Sequence, residues 1–263
     1  YVVVKYNSTG TTQWARTYTG ACPTGYDYPY GLAVAPNGMV VVTGYGYEAD
    51  CSGYDAVTVA FDTNGNQLWT DHFNGPGSST DYGRAVTMDA SGNVFVFGYA
   101  YGSSGNYDHF IRSFTPTGTL RWSQLYNSGD QDYAAYGTLV DTDASGNVYY
   151  GAYSYRSASS SSYYDYRVTK YSNTGTLQWS QYYNGAGNYY DYAYGFDVDD
   201  SGNSYITGYG RPSGSTYYDY ITVKYDTNGN QQWAKYYDGP RGQYYDYARS
   251  IADQRGRNRD WAE

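Results

Sequence analysis

A repeat of about 54 residues runs through the whole chain and constrains its fold more than any other feature. Five tryptophans mark this repeat: Trp14, Trp69, Trp122, Trp179 and Trp233. A glycine lies four residues before each tryptophan. A second glycine series has the same spacing: Gly38, Gly92, Gly146, Gly202 and Gly256. Repeats of fixed period are typical of solenoids and propellers, so we expect five similar structural units.

The second repeat indicates what one unit contains. Apolar or alternating runs, typical of strands, occur at Gly83–Asp89, Val94–Tyr99, Tyr107–Phe114 and Thr119–Tyr126. Short turns with glycine, ASGN and TPTG, join the first run to the second and the third to the fourth. Four antiparallel strands per repeat describe a β-propeller blade. A β-helix has a much shorter period, and a helical solenoid needs helical periodicity, which is absent.

The composition agrees with an all-β fold and excludes several classes of function. The 263 residues include 41 tyrosines and 33 glycines, and glutamate occurs only at Glu48 and Glu263. Tyrosine favours strands, and the abundant Asn, Asp, Ser and Gly favour turns. The net charge of −9 argues against nucleic acid and anionic membranes, and no apolar run is long enough for membrane insertion. A start at Tyr1 without a signal peptide suggests a processed protein or a fragment.

Two segments carry a resemblance to a known family. YDYITVKYDTNGNQQW (Tyr218–Trp233) and DASGNVYYGAYS (Asp143–Ser154) are similar to the bacterial β-propeller repeat, also called the seven-bladed β-propeller or SBBP repeat. The resemblance extends over almost the whole chain. It implies a propeller on a secreted or cell-surface protein, often as one module of a longer chain, and it implies no catalytic residues.

The phase of the repeat predicts how the ring closes. If the strand at Gly83–Asp89 is innermost, residues 1–19 supply the two outer strands of the last blade and residues 245–263 supply its two inner strands. Residues 1–263 then form a single domain, a closed five-bladed β-propeller without free sheet edges. The last copy departs from the pattern, since it reads DQRGRNRDWAE after Ala252, and a fragment of a larger propeller is the alternative.

Tyr-Asp pairs recur in the long loops before the first and third strands, and a propeller gathers such loops on one face. Tyrosine packs between blades and aspartate fixes turns, so a scaffold role is one interpretation of these pairs. A binding role is favoured where the copies differ. Three residues after the aligned aspartate position come Tyr30, Arg84, Thr138, Tyr194 and Arg249. Aromatic and cationic side chains are suited to stacking on a sugar or contacting an acidic group.

Two aspartates, Asp141 and Asp197, stand inside inner strands where other copies have Ala33 and Thr87. They suggest a cation or a reaction, or else solvated acids that line a channel. The candidate ligand-binding residues are Tyr28, Tyr30, Tyr82, Arg84, Tyr133, Tyr192, Tyr194, Tyr247, Arg249, Asp141 and Asp197.

The two cysteines, Cys22 and Cys51, fall in loops beside the same hairpin. A disulfide between them is geometrically plausible and would indicate an oxidising compartment, with two free thiols as the alternative.

Catalysis and cofactors have little support. His72 and His109 lie on different blades, and no Gly-x-Ser-x-Gly elbow occurs. The turns at Asp62–Gln67 and Asp226–Gln231 faintly resemble a calcium loop, but a hairpin turn explains them together with the three equivalent turns that lack the first carboxylate. We therefore predict no catalytic residue, no metal and no cofactor.

Three hypotheses about function follow. The first is a non-catalytic extracellular binding module that holds a carbohydrate or a cell-surface partner, since tyrosine gives large contact area at low entropic cost. The second is a structural surface or filament subunit that self-associates through tyrosine-rich faces. The third is a glycoside hydrolase-like enzyme that uses an aspartate pair in the channel.

Overall fold

The computed structural model describes residues 1–20, 22, 25–47, 53–127, 129, 132–133, 139–156, 163–240, 242 and 244–252. Nineteen strands occur in these ranges, all paired antiparallel, and no helix occurs there. The predicted all-β fold is therefore confirmed. None of the described residues forms a helix that could cross a membrane. The chain divides into two compact units, Tyr1–Gly129 and Asp130–Glu263.

The first unit contains three sheets. Two strands form the first, β1 (Val2–Tyr6) and β2 (Thr12–Thr17). The second sheet has the strands β3 (Asp27–Val34), β4 (Val40–Tyr47), β5 (Tyr54–Phe61) and β6 (Gln67–Phe73). The third has β7 (Tyr82–Met88), β8 (Val94–Tyr101), β9 (Tyr107–Phe114) and β10 (Leu120–Tyr126). In both four-stranded sheets each strand pairs with its neighbours in sequence, as the repeat predicted for a blade.

The second unit contains two sheets. One has the strands β11 (Asp132–Tyr133), β12 (Val140–Thr142), β13 (Val148–Arg156), β14 (Tyr163–Tyr171) and β15 (Leu177–Tyr183). Here β11 and β12 both pair with β13, so together they take the place of one inner strand. The other sheet has β16 (Tyr192–Val198), β17 (Ser204–Gly210), β18 (Asp219–Tyr225) and β19 (Gln231–Tyr237). Each sheet thus corresponds to one repeat.

The glycines and tryptophans that mark the repeat have a common structural reason. Each glycine before a tryptophan has a positive φ, between 79° and 85°, as a tight turn requires of a residue without Cβ. Within each unit, the tryptophan of one repeat lies over this turn in the next. Trp14 donates its indole N–H to the Thr63 carbonyl at 3.0 Å, and a Cβ on Gly65 would lie 2.8 Å from the Trp14 ring. Trp69 repeats the contact on Pro116 and Gly118. These tryptophans are therefore packing residues.

In the first unit the sheets stack face to face. The alternation along β4 sends Val41 to one side, where it packs with Val86, Val96 and Phe110 of the third sheet. The neighbouring valines of β4 point to the other side and pack with Tyr1, Val3 and Trp14 of the two-stranded sheet. The central strands β4 and β5 of the middle sheet are thus buried on both faces, which explains why they read as continuous apolar runs rather than as an apolar–polar alternation.

Buried tyrosines replace much of the aliphatic core in the second unit. Tyr149, Tyr150 and Tyr166 are fully buried, and the Tyr166 hydroxyl donates to the Ile221 carbonyl at 3.3 Å. Phe196 of β16 lies against the backbone of β13 at Gly151, where a Cβ would fall 2.6 Å from its ring.

The last repeat is described only in part. Residues 245–252 lie outside any strand, and residues 253–263, predicted to supply the rest of the inner hairpin, lie outside the described residues. The closed ring therefore stays a prediction.

Candidate functional site

A β-bulge lies in the inner strand of three repeats and decides where the variable residue points. In the pairing of β3 with β4, Pro29 and Gly31 oppose consecutive residues, so Tyr30 is the extra one. Arg84 holds the same place in β7, and Tyr194 holds it in β16. Bulges re-aim a side chain and recur beside binding sites. The three bulged residues lie at the position where the sequence copies mix aromatic and cationic side chains.

Close backbone approach accompanies each bulge. A Cβ on Gly44 would overlap the carbonyl oxygen of Tyr28 on the neighbouring strand. Gly98 meets Tyr82 in the same way, and Gly208 meets Tyr192. The glycine at this point of the second strand lets the bulged strand approach, and the tyrosine that follows it completes the site.

In the first unit the bulged side chains form a tyrosine–arginine cluster. The Arg84 guanidinium lies 4.3 Å from the ring centre of Tyr30 and 5.1 Å from those of Tyr82 and Tyr99. Its Nη2 donates a hydrogen bond of 2.5 Å to the Tyr99 hydroxyl. Arg84 is only 7% exposed, whereas Tyr30 is 38% exposed. The cluster therefore presents an aromatic surface that a buried cation supports from below.

The second unit has a similar cluster, in which the arginine is exposed. The Arg249 guanidinium lies 4.5 Å from the ring centre of Tyr194 and 5.7 Å from that of Tyr247. Tyr194 stacks on Tyr209 at 5.5 Å and 20°, as Tyr30 stacks on its own second-strand partner at 5.4 Å and 21°. Tyr247 and Tyr245 are exposed and nearly parallel, at 8°. Each unit therefore holds one arginine among exposed tyrosine rings.

The remaining candidate tyrosines belong to the walls of these clusters. Tyr28, exposed, packs on Tyr45 at 5.0 Å. Tyr82 and Tyr192 meet a tyrosine of the preceding repeat edge to face. Tyr133 lies 6.0 Å from Tyr164, and burial raises the pKa of its hydroxyl. Thr138 lies outside the described residues.

Sequence reasoning missed the second-strand tyrosines Tyr45, Tyr99 and Tyr209. The cluster of the first unit contains the first two, and that of the second unit contains the third. The signal that could have found them is the Gly-Tyr dipeptide, which occupies the same place in three copies.

The aspartates of the Tyr-Asp pairs hold the loops. Asp81 accepts hydrogen bonds from the backbone N–H groups of Gly75, at 2.7 Å, and Tyr101, at 2.9 Å. Gly185 donates to Asp191 and Gly239 to Asp246 in the same manner. Burial raises the pKa of Asp81 to about 6 and that of Asp191 to about 8. These carboxylates serve the scaffold, the role that one of our interpretations gave them.

Asp141 and Asp197 come together in the second unit. Both are buried, on the inner strands β12 and β16. The backbone N–H of Val198 points to both carboxylates, at 3.0 Å from Asp197 Oδ1 and 3.4 Å from Asp141 Oδ2. The two side chains thus share a backbone donor.

The carboxylates of the turn aspartates accept hydrogen bonds from within their own turns. Asp62 Oδ1 accepts from the backbone N–H groups of Asn64 and Asn66, both at 2.8 Å, and its Oδ2 accepts from the Asn66 side chain. Asp226 repeats these bonds. The hairpin-turn interpretation therefore accounts for both carboxylates. Cys22 is buried, whereas Cys51 lies outside the described residues, so the disulfide stays a prediction.

Comparison with known proteins supports the fold. Residues 178–211 match the family model of the β-propeller repeat, which confirms the resemblance over that segment. Search of the curated proteins finds no significant match. Three similar solved structures are the Dos1 propeller, a thermostable family-43 glycoside hydrolase and an ulvan lyase of polysaccharide lyase family PL25.

These likenesses are distant. The Dos1 propeller is 11% identical, with a TM-score of 0.48, over 89% of this chain and 51% of its own. The glycoside hydrolase is 10% identical, with a TM-score of 0.46, over 82% and 73%. The lyase is 10% identical, with a TM-score of 0.49, over 81% and 55%. At this level they do not bear on function, and the chain spans about half the length of two of the three.

Proposed function

We propose that this protein is a non-catalytic extracellular binding module that holds a carbohydrate on its tyrosine–arginine clusters. The bulge that presents Tyr30, Arg84 and Tyr194 is the observation that carries the proposal. The repeats keep one backbone geometry at the bulge but differ in the side chain that the bulge presents. Such variation on a constant scaffold is typical of a ligand-binding surface. Exposed, rigid aromatic rings with a supported guanidinium are suited to the C–H faces and hydroxyl groups of a sugar.

Removal of an exposed ring should weaken binding. We expect Tyr30→Ala in the first unit, and Tyr247→Ala in the second, each to lower affinity for the best glycan by roughly tenfold, which corresponds to loss of about 1.4 kcal/mol of stacking. Tyr30→Phe should bind almost as the parent does, because it keeps the ring. A glycan array that includes acidic glycans identifies the ligand, and calorimetric titration measures the affinity.

Tyr237→Ala is the matched control, since Tyr237 is exposed on the outer strand β19. Equal losses in Tyr237→Ala and Tyr30→Ala would contradict a site at the bulges. If no glycan on the array binds saturably, the proposal of a carbohydrate ligand is contradicted. Capture of a cell-surface protein through Tyr30 and Tyr247 would then identify the other class of partner.

We also infer that residues 245–263 complete the last blade of a closed five-bladed ring together with β1 and β2. One contact supports this inference. Gly31 of β3 lies against the next inner strand, with its Cβ position 3.0 Å from Ala85 Cα. Gly195 of β16 lies in the same way against Ser250, at 2.8 Å from its Cα. The segment at Ser250 therefore has the place of an inner strand.

Deletion of residues 245–263 should expose an edge of the ring. We expect a lower melting temperature and faster amide hydrogen exchange in β1, because the strand proposed to pair with its other edge, opposite β2, is lost. Exchange in β8, between two partners of its own sheet, is the internal control. Unchanged protection of β1 in the truncated protein would contradict the closed ring.

A further inference from the structure

Three carboxylates meet where the last described loop of the second unit returns to its sheet. Asp219 is the first residue of β18, Asp238 follows β19 directly, and Asp246 lies in the segment after that loop. One carboxylate oxygen of each lies within 4.8 Å of the others. Asp219 is buried, Asp246 is half-buried, and Asp238 is exposed to solvent.

Two of the three carboxylates belong to a scaffold pair that other repeats share. Asp219 and Asp246 correspond to Asp55 and Asp81 in the first unit, and to Asp165 and Asp191 in the repeat before. The third does not. The position of Asp238 holds a neutral residue in all the other copies: Thr19, Asn74, Asn127 and Asn184. The last copy therefore adds a negative charge beside an existing acidic pair.

In the described part of the chain, no cation pairs with the added charge. Asp246 accepts a hydrogen bond of 2.8 Å from the Gly239 N–H. In the preceding repeat Arg156 lies 3.5 Å from Asp165 and compensates that pair. Asp219 is only 7% exposed, and among the described residues no hydrogen bond or ion pair reaches its carboxylate. A buried carboxylate aimed at two others calls for a cation.

We propose that Asp219, Asp238 and Asp246 bind a calcium ion. Calcium takes oxygen ligands at about 2.3–2.6 Å, so ligand oxygens on opposite sides lie about 4.6–5.2 Å apart. Oxygens within 4.8 Å of one another can therefore share one calcium ion. Calcium also accepts the flexible geometry of a partly solvated site more readily than magnesium, which requires a near-ideal octahedron. Three carboxylates, with Asp238 open to solvent for the entry of the ion and for water ligands, place the dissociation constant at roughly 10⁻⁴–10⁻³ M.

Calcium titration tests the site in the whole chain. We expect added CaCl₂ to raise the melting temperature and to compete with Tb³⁺, whose luminescence Tyr218 and Tyr247 should sensitise from either side of the cluster. Asp238→Asn restores the residue of the other copies and should preserve the fold. This variant should bind calcium at least tenfold more weakly and lose the shift in melting temperature.

Asp226→Asn is the control, since it removes the same charge from an exposed turn of the same unit. It should keep the full calcium response. The proposal is overturned if the parent shows no response up to about 10 mM calcium, tenfold above the weakest expected dissociation constant. It is also overturned if Asp238→Asn responds as the parent does. Neither result depends on glycan binding, because the cluster shares no proposed ligand residue with the tyrosine–arginine sites.

Discussion

Raising the pH from about 4 to about 8 should lower the stability of this protein, the reverse of the usual behaviour of an acidic chain. Burial raises the pKa of Asp191 to about 8, and of Asp81 and Asp165 to about 6, from an ordinary value of 3.8. The folded protein keeps protons on these groups that the unfolded chain has already released. Their stabilising contribution is therefore complete below pH 3.8 and is lost as the pH rises through 6 and 8.

Asp191 should account for the largest part of this loss, on the order of a few kcal/mol, since it is the most strongly shifted of the three. Asp191→Asn keeps an oxygen that accepts from the Gly185 N–H but carries no charge. We expect this variant to have a higher melting temperature than the parent at pH 8 and a flatter dependence between pH 6 and 8. Thermal unfolding in dilute, calcium-free buffer measures both.

The control for this prediction is Asp226→Asn. Hydrogen bonds from its own turn lower the pKa of Asp226, so its contribution is lost only as the pH falls, outside the window of Asp191. Equal slopes above pH 6 in the parent and in Asp191→Asn would show that the carboxyl group is not protonated in the fold.

Arg167→Met should destabilise the protein by about 3–5 kcal/mol. Arg167 and Asp132 are both fully buried, with Nη1 and Oδ1 3.5 Å apart. The Nε and Nη2 groups also donate to Ser180 Oγ, at 3.1 and 3.0 Å. Methionine fills most of the volume but leaves the Asp132 charge in the core without this cation. The loss corresponds to a melting temperature lower by roughly 10 °C for a chain of this size.

Arg112→Met is the matched control, because Arg112 also pairs with an aspartate through Nε and Nη2, at 3.1 and 2.9 Å from Asp71. That pair is partly exposed, so water replaces much of what the substitution removes, and a loss of about 1 kcal/mol is expected. Urea unfolding compares the two variants directly. If the two variants lost equal free energy of unfolding, or if Arg167→Met were as stable as the parent, burial would not determine how much each ion pair contributes.

The sequence alone predicted the sheets and nearly all their strands. The runs predicted in the second repeat, such as Tyr107–Phe114, agree with β7 to β10 within two residues at each end. The reason is local. Side chains alternate across a strand, and a tight turn needs glycine at a positive φ, so both leave a mark on consecutive residues. The tryptophan series was equally easy to detect, because the contact that Trp14 makes with a turn recurs at Trp69 and Trp179.

The candidate sites depend on facts that consecutive residues do not encode. The bulge at Tyr30 exists only relative to the partner strand, since one extra residue has no signature until the register of pairing is fixed. Arg84 reads as an exposed, variable cation, but the fold buries it under rings from three strands. Asp238 differs from Asn74 by one charge. Only the structure shows that the loop brings this charge beside Asp219 and Asp246. The strands of this protein could be predicted from the repeat period and the alternation of side chains, because both are relations between neighbours in the chain. Its candidate sites depend on the register of strand pairing and on the paths of the loops, because these bring together residues that are distant in the sequence.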